Sequence, residues 1–171
     1  MDKPTLDHLF SATYEELRRL AASVSHRDPN RTLNPTALVN EAYLKLADSL
    51  PSGSTSRLHF KRIAARAMRQ VLVEAGRRRN ALKRGGDVAF VTLDDELDVA
   101  ANTAQDLLDL DRALDDLAKM HPRQALMVEC RFFGGLDIAE TAELLEVSES
   151  TILRDWRAAR AWLARQLRRA G

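Results

Sequence analysis

The side chains that could catalyse a reaction are scattered along this sequence. The histidines, which have no Cys or carboxylate partners at metal-ligand spacing, are His8, His26, His59 and His121. The sequence has no glycine-rich phosphate loop, and a metal-dependent nuclease would require the acidic residues Asp94, Asp95 and Glu96 to be ordered. We therefore predict a protein that is not an enzyme, with no metal and no cofactor.

The residues with the clearest chemistry are cations, and they are segregated along the chain. Residues 57–84 contain ten Lys or Arg and one acid, residues 87–116 contain ten acids and one base, and residues 152–171 contain six Arg and one acid. The formal net charge of +1 hides this pattern. Two basic blocks separated by an acidic one indicate two surfaces for a polyanion, of which nucleic acid is the natural candidate. Either block alone could also be a solvated helix surface.

Helices are predicted to carry these charges. The seven Gly and five Pro among 171 residues leave few breaks in the periodic segments. Apolar residues at helical spacing and the capping signals predict helices over residues 6–24, 35–48, 58–84, 107–117, 122–133, 138–145 and 149–169.

An acidic stretch divides the chain. Residues 87–102 follow two glycines and show no sustained helical stripe, which is typical of a linker. The predicted fold class is therefore all-α, with two small helical domains at residues 1–84 and 103–171 joined by a flexible acidic linker at residues 85–102.

The predicted helix over residues 58–84 has an apolar face and a cationic face. Phe60, Ala64 and Val71 fall on the apolar face. The cations expected to be exposed on the other face are Lys61, Arg62, Arg66 and Arg69.

A short helix, a tight turn and a longer helix end the sequence. Glu146 and Val147 form the turn, and Ser148 is placed to cap the longer helix. This is a helix-turn-helix, whose second helix enters the major groove of DNA. Its core positions are Ile152, Trp156, Ala159 and Leu163, and the side chains left to meet bases and phosphates are Ser150, Thr151, Arg154 and Arg157.

The single cysteine, Cys130, lies in an apolar run, so we expect a buried and reduced thiol. The sequence opens without a basic stretch and an apolar run, and no apolar segment approaches the roughly 20 residues that span a bilayer. We expect a cytoplasmic protein with no membrane partner.

Residues 131–167 read RFFGGLDIAETAELLEVSESTILRDWRAARAWLARQL and resemble region four of the extracytoplasmic-function (ECF) subfamily of sigma-70 RNA polymerase sigma factors. The resemblance implies that the helix-turn-helix binds the promoter −35 element as duplex DNA. The residues that it places at the major groove are Ser148, Ser150, Thr151, Leu153, Arg154 and Arg157.

Two positions depart from the family pattern. Glu146 stands where such turns usually hold Gly, which costs about 1 kcal/mol if its backbone is left-handed. Leu153 occupies an exposed position of the recognition helix that is usually polar or charged, so the base read there is in question.

The N-terminal half resembles region two of the same group. Residues 35–48, PTALVNEAYLKLAD, match the polymerase-binding helix, and residues 58–84 match the segment that engages the −10 element. The residues implied at the polymerase are Asn40, Glu41, Leu44 and Lys45. The residues implied at the melted −10 strand are Ser54, Arg62, Arg66, Arg69 and Arg77. Tyr43 and Phe60 lie on apolar stripes, which favours core packing over contact with a partner.

These patterns predict an alternative sigma factor that directs promoter recognition, promoter opening and transcription initiation. Its partners would be core RNA polymerase, the duplex −35 element and the melted −10 strand, and the free chain would be a monomer. An anti-sigma factor that covers either domain follows from the resemblance alone.

Two other classes remain open. A helix-turn-helix transcriptional regulator would bind an operator without polymerase, as a dimer. That function does not require the basic helix predicted over residues 58–84 or the polar loop before it. A structural or signalling helical bundle is disfavoured by the segregation of charge.

Overall fold

The computed structural model describes residues 8–11, 14, 15, 17–19, 21, 35–49, 56–82 and 104–170. These residues are almost entirely helical and contain no strand, so the predicted all-α class is confirmed. Ser54, the predicted linker at residues 85–102 and the acidic run at residues 94–96 lie outside the described residues.

The helices with both ends described are α1 (Pro35–Ser49), α2 (Arg57–Leu82), α3 (Ala104–Met120), α4 (Pro122–Gly134), α5 (Ile138–Leu145) and α6 (Glu149–Ala170). The described residues between positions 8 and 21 are also helical. Within the described residues, the predicted helices are therefore present.

The helix ends follow local chemistry. Pro35 and Pro122 are the first residues of α1 and α4, where a missing N–H costs no hydrogen bond. The Ser56 hydroxyl accepts a hydrogen bond from the His59 backbone N–H at 3.2 Å and so caps α2. Gly135 ends α4 with a left-handed backbone at φ 67°.

One hydrophobic core joins all six helices. The leucines that recur at helical spacing in α3 are buried, namely Leu107, Leu110, Leu114 and Leu117. The predicted core positions of α6 are buried as well, namely Ile152, Trp156, Ala159 and Leu163. Phe60 is buried, so it packs in the core as its stripe position indicates.

Cys130 is a buried free thiol, as predicted. Loss of solvation by burial, helped by the negative charge of Glu129, raises the pKa of this thiol to about 12. The thiol is consequently protonated at neutral pH and is a poor nucleophile.

The two halves of the chain pack directly on each other. Helix α2 contacts α3, α4 and α5. A Cβ atom added to Gly134 of α4 would lie 2.8 Å from the Ala65 Cβ of α2, closer than two side-chain carbons approach. The division into domains at residues 1–84 and 103–171 stays a prediction.

The prediction that all four cations of α2 are exposed is wrong for Lys61 and Arg69. Lys61 is 3% exposed, and its Nζ lies 3.1 Å from Glu140 Oε1 of α5. The Arg69 side chain is 14% exposed and is paired with acids of α3 and α4. Helical periodicity locates a polar face, but the elements that cover that face come from the other half of the chain.

Candidate nucleic-acid interface

The first helix of the helix-turn-helix is short and held at its start by a capping box. The Asp137 carboxylate accepts a hydrogen bond from the Glu140 backbone N–H at 2.7 Å, and the Glu140 carboxylate accepts one from the Asp137 backbone N–H at 3.1 Å. The Thr141 hydroxyl also donates to the Asp137 carbonyl at 2.6 Å. These bonds fix α5, which has only eight residues.

Glu146 makes the turn. Its φ of 56° and ψ of 43° are left-handed, so the backbone conformation favoured by glycine is imposed here on a side chain. The Glu146 N–H donates to the Glu143 carbonyl at 3.2 Å, and the Val147 N–H donates to the Ala142 carbonyl at 3.0 Å. The turn is thus closed by hydrogen bonds in spite of the strain at Glu146.

Hydroxyl groups cluster where α6 begins. Ser148 caps α6, as predicted, because its Oγ accepts a hydrogen bond from the Thr151 N–H at 3.2 Å. The same Oγ lies 3.1 Å from Ser150 Oγ and 2.9 Å from Thr151 Oγ1. A helix start with several hydroxyls offers donors to phosphates and bases.

We call Ser150, Leu153, Arg154 and Arg157 the reading face of α6. All four are exposed, whereas Thr151 is half-buried. Within the described ranges, no ion pair or hydrogen bond occupies the side chains of Arg154 and Arg157. The reading face is therefore cationic and accessible, with one apolar member, Leu153, at 39% exposure.

The opposite side of α6 is tied to α4. The Arg123 guanidinium donates to Asp155 Oδ2 from Nε at 2.8 Å, and Asp155 is buried. The Arg131 guanidinium lies over the Trp156 ring at 4.0 Å from its centroid. Neither contact was predicted from the sequence, although Asp155, the one acid among the cations of residues 152–171, was a signal for an internal partner.

Helix α2 faces a cleft of about 610 Å³ that runs between it and α3–α4. We call this the cationic cleft, and the cations that line it are Arg62, Arg66, Arg69 and Arg77. Arg62 and Arg66 are exposed, and no hydrogen bond or ion pair to another described residue engages them. Arg77 is weakly paired, with its Nη2 at 4.0 Å from Asp111 Oδ2.

The opposing side of the cleft is acidic, and we call Asp111, Asp115 and Glu129 the acidic wall. Arg69 donates to Asp111 Oδ1 from Nε at 2.7 Å, to Glu129 Oε2 from Nη1 at 2.8 Å and to Asp115 Oδ1 from Nη2 at 2.9 Å. Nη2 also donates to the Asp111 carbonyl at 2.9 Å. Burial alone would lower the pKa of Arg69, but the hydrogen bonds and charges of Glu129 and Asp111 together raise it.

The predicted polymerase-binding residues of α1 divide into two pairs. Asn40 and Leu44 are exposed one helical turn apart, and Leu44 is 64% exposed. Lys45 and Glu41 are linked to α2, with Lys45 Nζ at 3.0 Å from Glu74 Oε1 and Glu41 Oε2 at 3.9 Å from Arg78 Nη2.

Tyr43 packs inward rather than toward a partner. Its ring meets that of Phe10 edge to face, with the ring centroids 4.7 Å apart. Core packing, which its stripe position indicated, is what the structure shows.

Among the described residues, no three His, Cys, Asp or Glu side chains come together as a metal site. None of the helices in the described ranges is both long and apolar enough to cross a bilayer.

A short capped helix, α5, followed after a tight turn by the capped, cationic helix α6 defines a helix-turn-helix DNA-binding protein. The family model described as ECF sigma factor matches residues 2–169. The chain therefore belongs to the ECF sigma factor family, whose members are alternative sigma factors that act in promoter recognition. Searches of the curated proteins and of the solved structures found no match.

Proposed function

We propose that this ECF sigma factor binds core RNA polymerase through α1, the melted −10 strand through α2 and the duplex −35 element through α6. The protein supplies no covalent chemistry. Promoter opening is driven by the exchange of paired DNA for a strand bound to protein. It acts in the cytoplasm, as a monomer when free, and an anti-sigma factor that covers either half would inhibit it.

The reading face of α6 supports the −35 assignment. Arg154 and Arg157 lie near the start of α6, beside the hydroxyls of Ser148 and Ser150. In the docking geometry of a helix-turn-helix, this part of the second helix meets base edges and phosphates. The buried contacts of Asp155 and Trp156 hold the opposite side of the helix and so fix the direction in which the arginines point.

The −10 assignment depends on the cations of α2. Arg62 and Arg66 are exposed in the cationic cleft, at a spacing that places them on one helix face. Arginines along a groove hold the phosphates of a single strand. Arg69 and Arg77 extend the same row, and Ser54 would lie beside an extruded base.

The polymerase assignment is supported by Leu44. A leucine that is 64% exposed on a helix with an otherwise buried apolar face suits an anchor for a protein partner. Asn40, Glu41 and Lys45 surround it and would supply the polar rim.

The exposed, cationic reading face of α6 is the observation that carries this proposal. The test is to mix the purified chain with core polymerase and measure transcription from a library of promoters. We expect co-purification with the core enzyme and initiation from a small set of related sequences. Specific duplex binding with no association to polymerase would favour the operator-binding regulator instead.

At residue level, Arg154→Ala tests the reading face. If Arg154 reads a base, the variant should bind the preferred −35 duplex about 1 to 3 kcal/mol more weakly and discriminate less at one position. Arg165→Ala is the control, because it removes the same charge from an exposed site nearer the end of α6. Equal losses for the two variants on every sequence would reject base reading by Arg154.

A further inference from the structure

The cationic surface of α6 continues well beyond the reading face. Arg165 and Arg168 follow Arg154 and Arg157 at helical spacings that keep all four side chains on one side of the helix. All four arginines are exposed. Ala161 is also exposed and occupies the position between Arg157 and Arg165 in the same row. We call these five residues the cationic stripe.

The core fixes the direction in which the cationic stripe points. Ile152 and Trp156 are buried in the first half of α6, and Leu163 is buried in the second half. Leu167 packs against the core from the last turn. These apolar residues lie on the opposite side of the helix from the stripe. The stripe therefore faces outward along nearly the whole length of α6.

Contacts within the chain do not account for the charge of the stripe. Arg168 lies in the last turn, where a cation interacts favourably with the helix dipole, but Arg165 lies before that turn. The acids of α6 are Glu149 and Asp155, and Asp155 is buried in an ion pair with α4. No hydrogen bond or ion pair to another described residue engages Arg165 or Arg168. The second half of the stripe is thus a positive surface without a counter-charge among the described residues.

The stripe is longer than the groove that the reading face would enter is wide. At a rise of about 1.5 Å per residue, Arg165 lies about 16 Å beyond Arg154 along the helix axis, and Arg168 about 21 Å beyond it. The major groove of B-DNA is about 12 Å wide and winds around the duplex. A straight helix with Arg154 at the base edges has consequently left the groove floor at Arg165, where phosphates line the groove.

We propose that Arg165 and Arg168 bind backbone phosphates of the duplex beside the −35 element. Helix α6 then has a sequence-specific first half and a sequence-independent second half. Guanidinium groups form charge-assisted hydrogen bonds with phosphate and release counterions from the DNA, so this contact adds affinity on every sequence. The inference rests on the proposed binding of the −35 duplex by α6.

The first test varies the length of the duplex. One duplex ends at the limits of the −35 element, and the other is extended on each side by about one helical turn, about 10 base pairs. Arg165→Gln with Arg168→Gln is the stripe variant, and Arg112→Gln with Lys119→Gln removes two exposed cations of α3 as a charge-matched control. The wild-type and control chains should bind the extended duplex at least about tenfold more tightly than the short one. The stripe variant should lose most of this gain.

The second test measures the dependence of binding on salt. Each phosphate contact contributes about 0.9 to the slope of log affinity against log salt concentration on B-DNA. On the extended duplex, the slope of the stripe variant should therefore be smaller than that of the control by about 2. The fold loss should be the same on a duplex whose −35 element is replaced. A loss confined to one sequence would make these arginines base readers and would overturn the proposal.

A third variant adds a charge to the stripe. Ala161→Arg places a cation between Arg157 and Arg165 and should strengthen binding of the extended duplex, with a salt slope larger by about 1. Ala47→Arg, the same change at an exposed position of α1, is the matched control. A gain of affinity cannot come from a loss of folding. An equal effect of the two changes would contradict the proposal.

The outcomes separate this inference from the proposed function. Equal affinities and equal salt slopes of the stripe variant and its control on the extended duplex would overturn the phosphate contact. Specific binding of the −35 element by the same chains would leave the proposed function standing. Normal DNA binding by the stripe variant with a loss of transcription would make the stripe a contact for a protein, which also overturns the proposal. Failure of every chain, wild type included, to prefer the −35 duplex would count against the proposed function itself.

Discussion

Leu153 is the apolar member of an otherwise polar and cationic reading face, at 39% exposure. In the major groove, the one apolar group that distinguishes a base pair is the C5-methyl of thymine. An exposed leucine beside Arg154 and Arg157 therefore predicts a thymine at one position of the −35 element. The family pattern alone left the base at this position open.

Replacement of single thymines by deoxyuridine tests this contact, because it removes one methyl group and leaves base pairing intact. At one position of the −35 duplex, the wild-type chain should lose about 0.8 kcal/mol of binding free energy, the value of one buried methyl. Leu153→Ala should bind the thymine and deoxyuridine duplexes equally at that position. If no position shows a loss for the wild type, the contact is absent.

The ion-pair partners of Arg69 could not be predicted from the sequence. Its charge follows from its residue type and its position on α2 from the helical spacing. Its partners Asp111 and Glu129, however, are 42 and 60 residues away in the sequence. Neither partner shares a helix with Arg69. The pairing became visible only once the packing of α2 against α3 and α4 was known.

At the scale of the elements, the helix-turn-helix depends on two local features of the backbone at the ends of α5. The capping box of Asp137 and Glu140 starts α5, and the left-handed Glu146 ends it. An isolated helix of eight residues is unstable in water, so these ends and the packing of α5 on α6 must hold it. The turn at Glu146 keeps a conformation that its own side chain disfavours.

Glu146→Gly should therefore stabilise the protein by about 1 kcal/mol, because glycine adopts the left-handed conformation without the steric cost of a Cβ. Thermal unfolding followed by circular dichroism measures the change. Glu143→Gly is the matched control, since it places the same residue inside α5 at an exposed position and should destabilise by about 1 kcal/mol. A lower melting temperature for Glu146→Gly would contradict this account of the turn.

Most of the helices could be predicted because their signals are local. Pro35 and Pro122 mark helix starts, Gly135 marks an end, and the leucines of α3 repeat at helical spacing. The hydroxyl cluster and the arginines of α6 were also readable, because Ile152 and Trp156 fix which face is buried. The capping box was missed, although Asp137 and Glu140 stand three residues apart before an apolar run, which is the sequence signature of such a box.

At the scale of the whole molecule, the sequence predicted two units on a linker, a division that stays a prediction. Buried residues of both halves belong to one hydrophobic core. Charge segregation was interpreted as a way to separate two nucleic-acid surfaces. In the structure, part of the acidic block forms the acidic wall and binds a cation of the first basic block. Opposite charges far apart in sequence thus serve as contacts between the halves.

The three carboxylates around Arg69 should contribute unequally to the stability of the packing between the two halves. Asp111 and Glu129 are 16% and 13% exposed, whereas Asp115 is 67% exposed. Exposed ion pairs contribute little because water and salt screen them, and enclosed ones cost far more to break. In thermal unfolding followed by circular dichroism, Asp115→Asn should therefore lower the melting temperature less than Glu129→Gln does. A larger effect of Asp115→Asn would show that the exposed ion pair holds the halves together.

The close approach of Gly134 to Ala65 has a consequence for which sequences can adopt this fold. Every residue other than glycine adds a Cβ atom at position 134, and that atom would lie 2.8 Å from the Ala65 Cβ and 3.0 Å from the Leu136 Cδ1. The observed packing of α4 on α2 therefore requires glycine at position 134, and any other residue there would have to be accommodated by a shift of the neighbouring atoms.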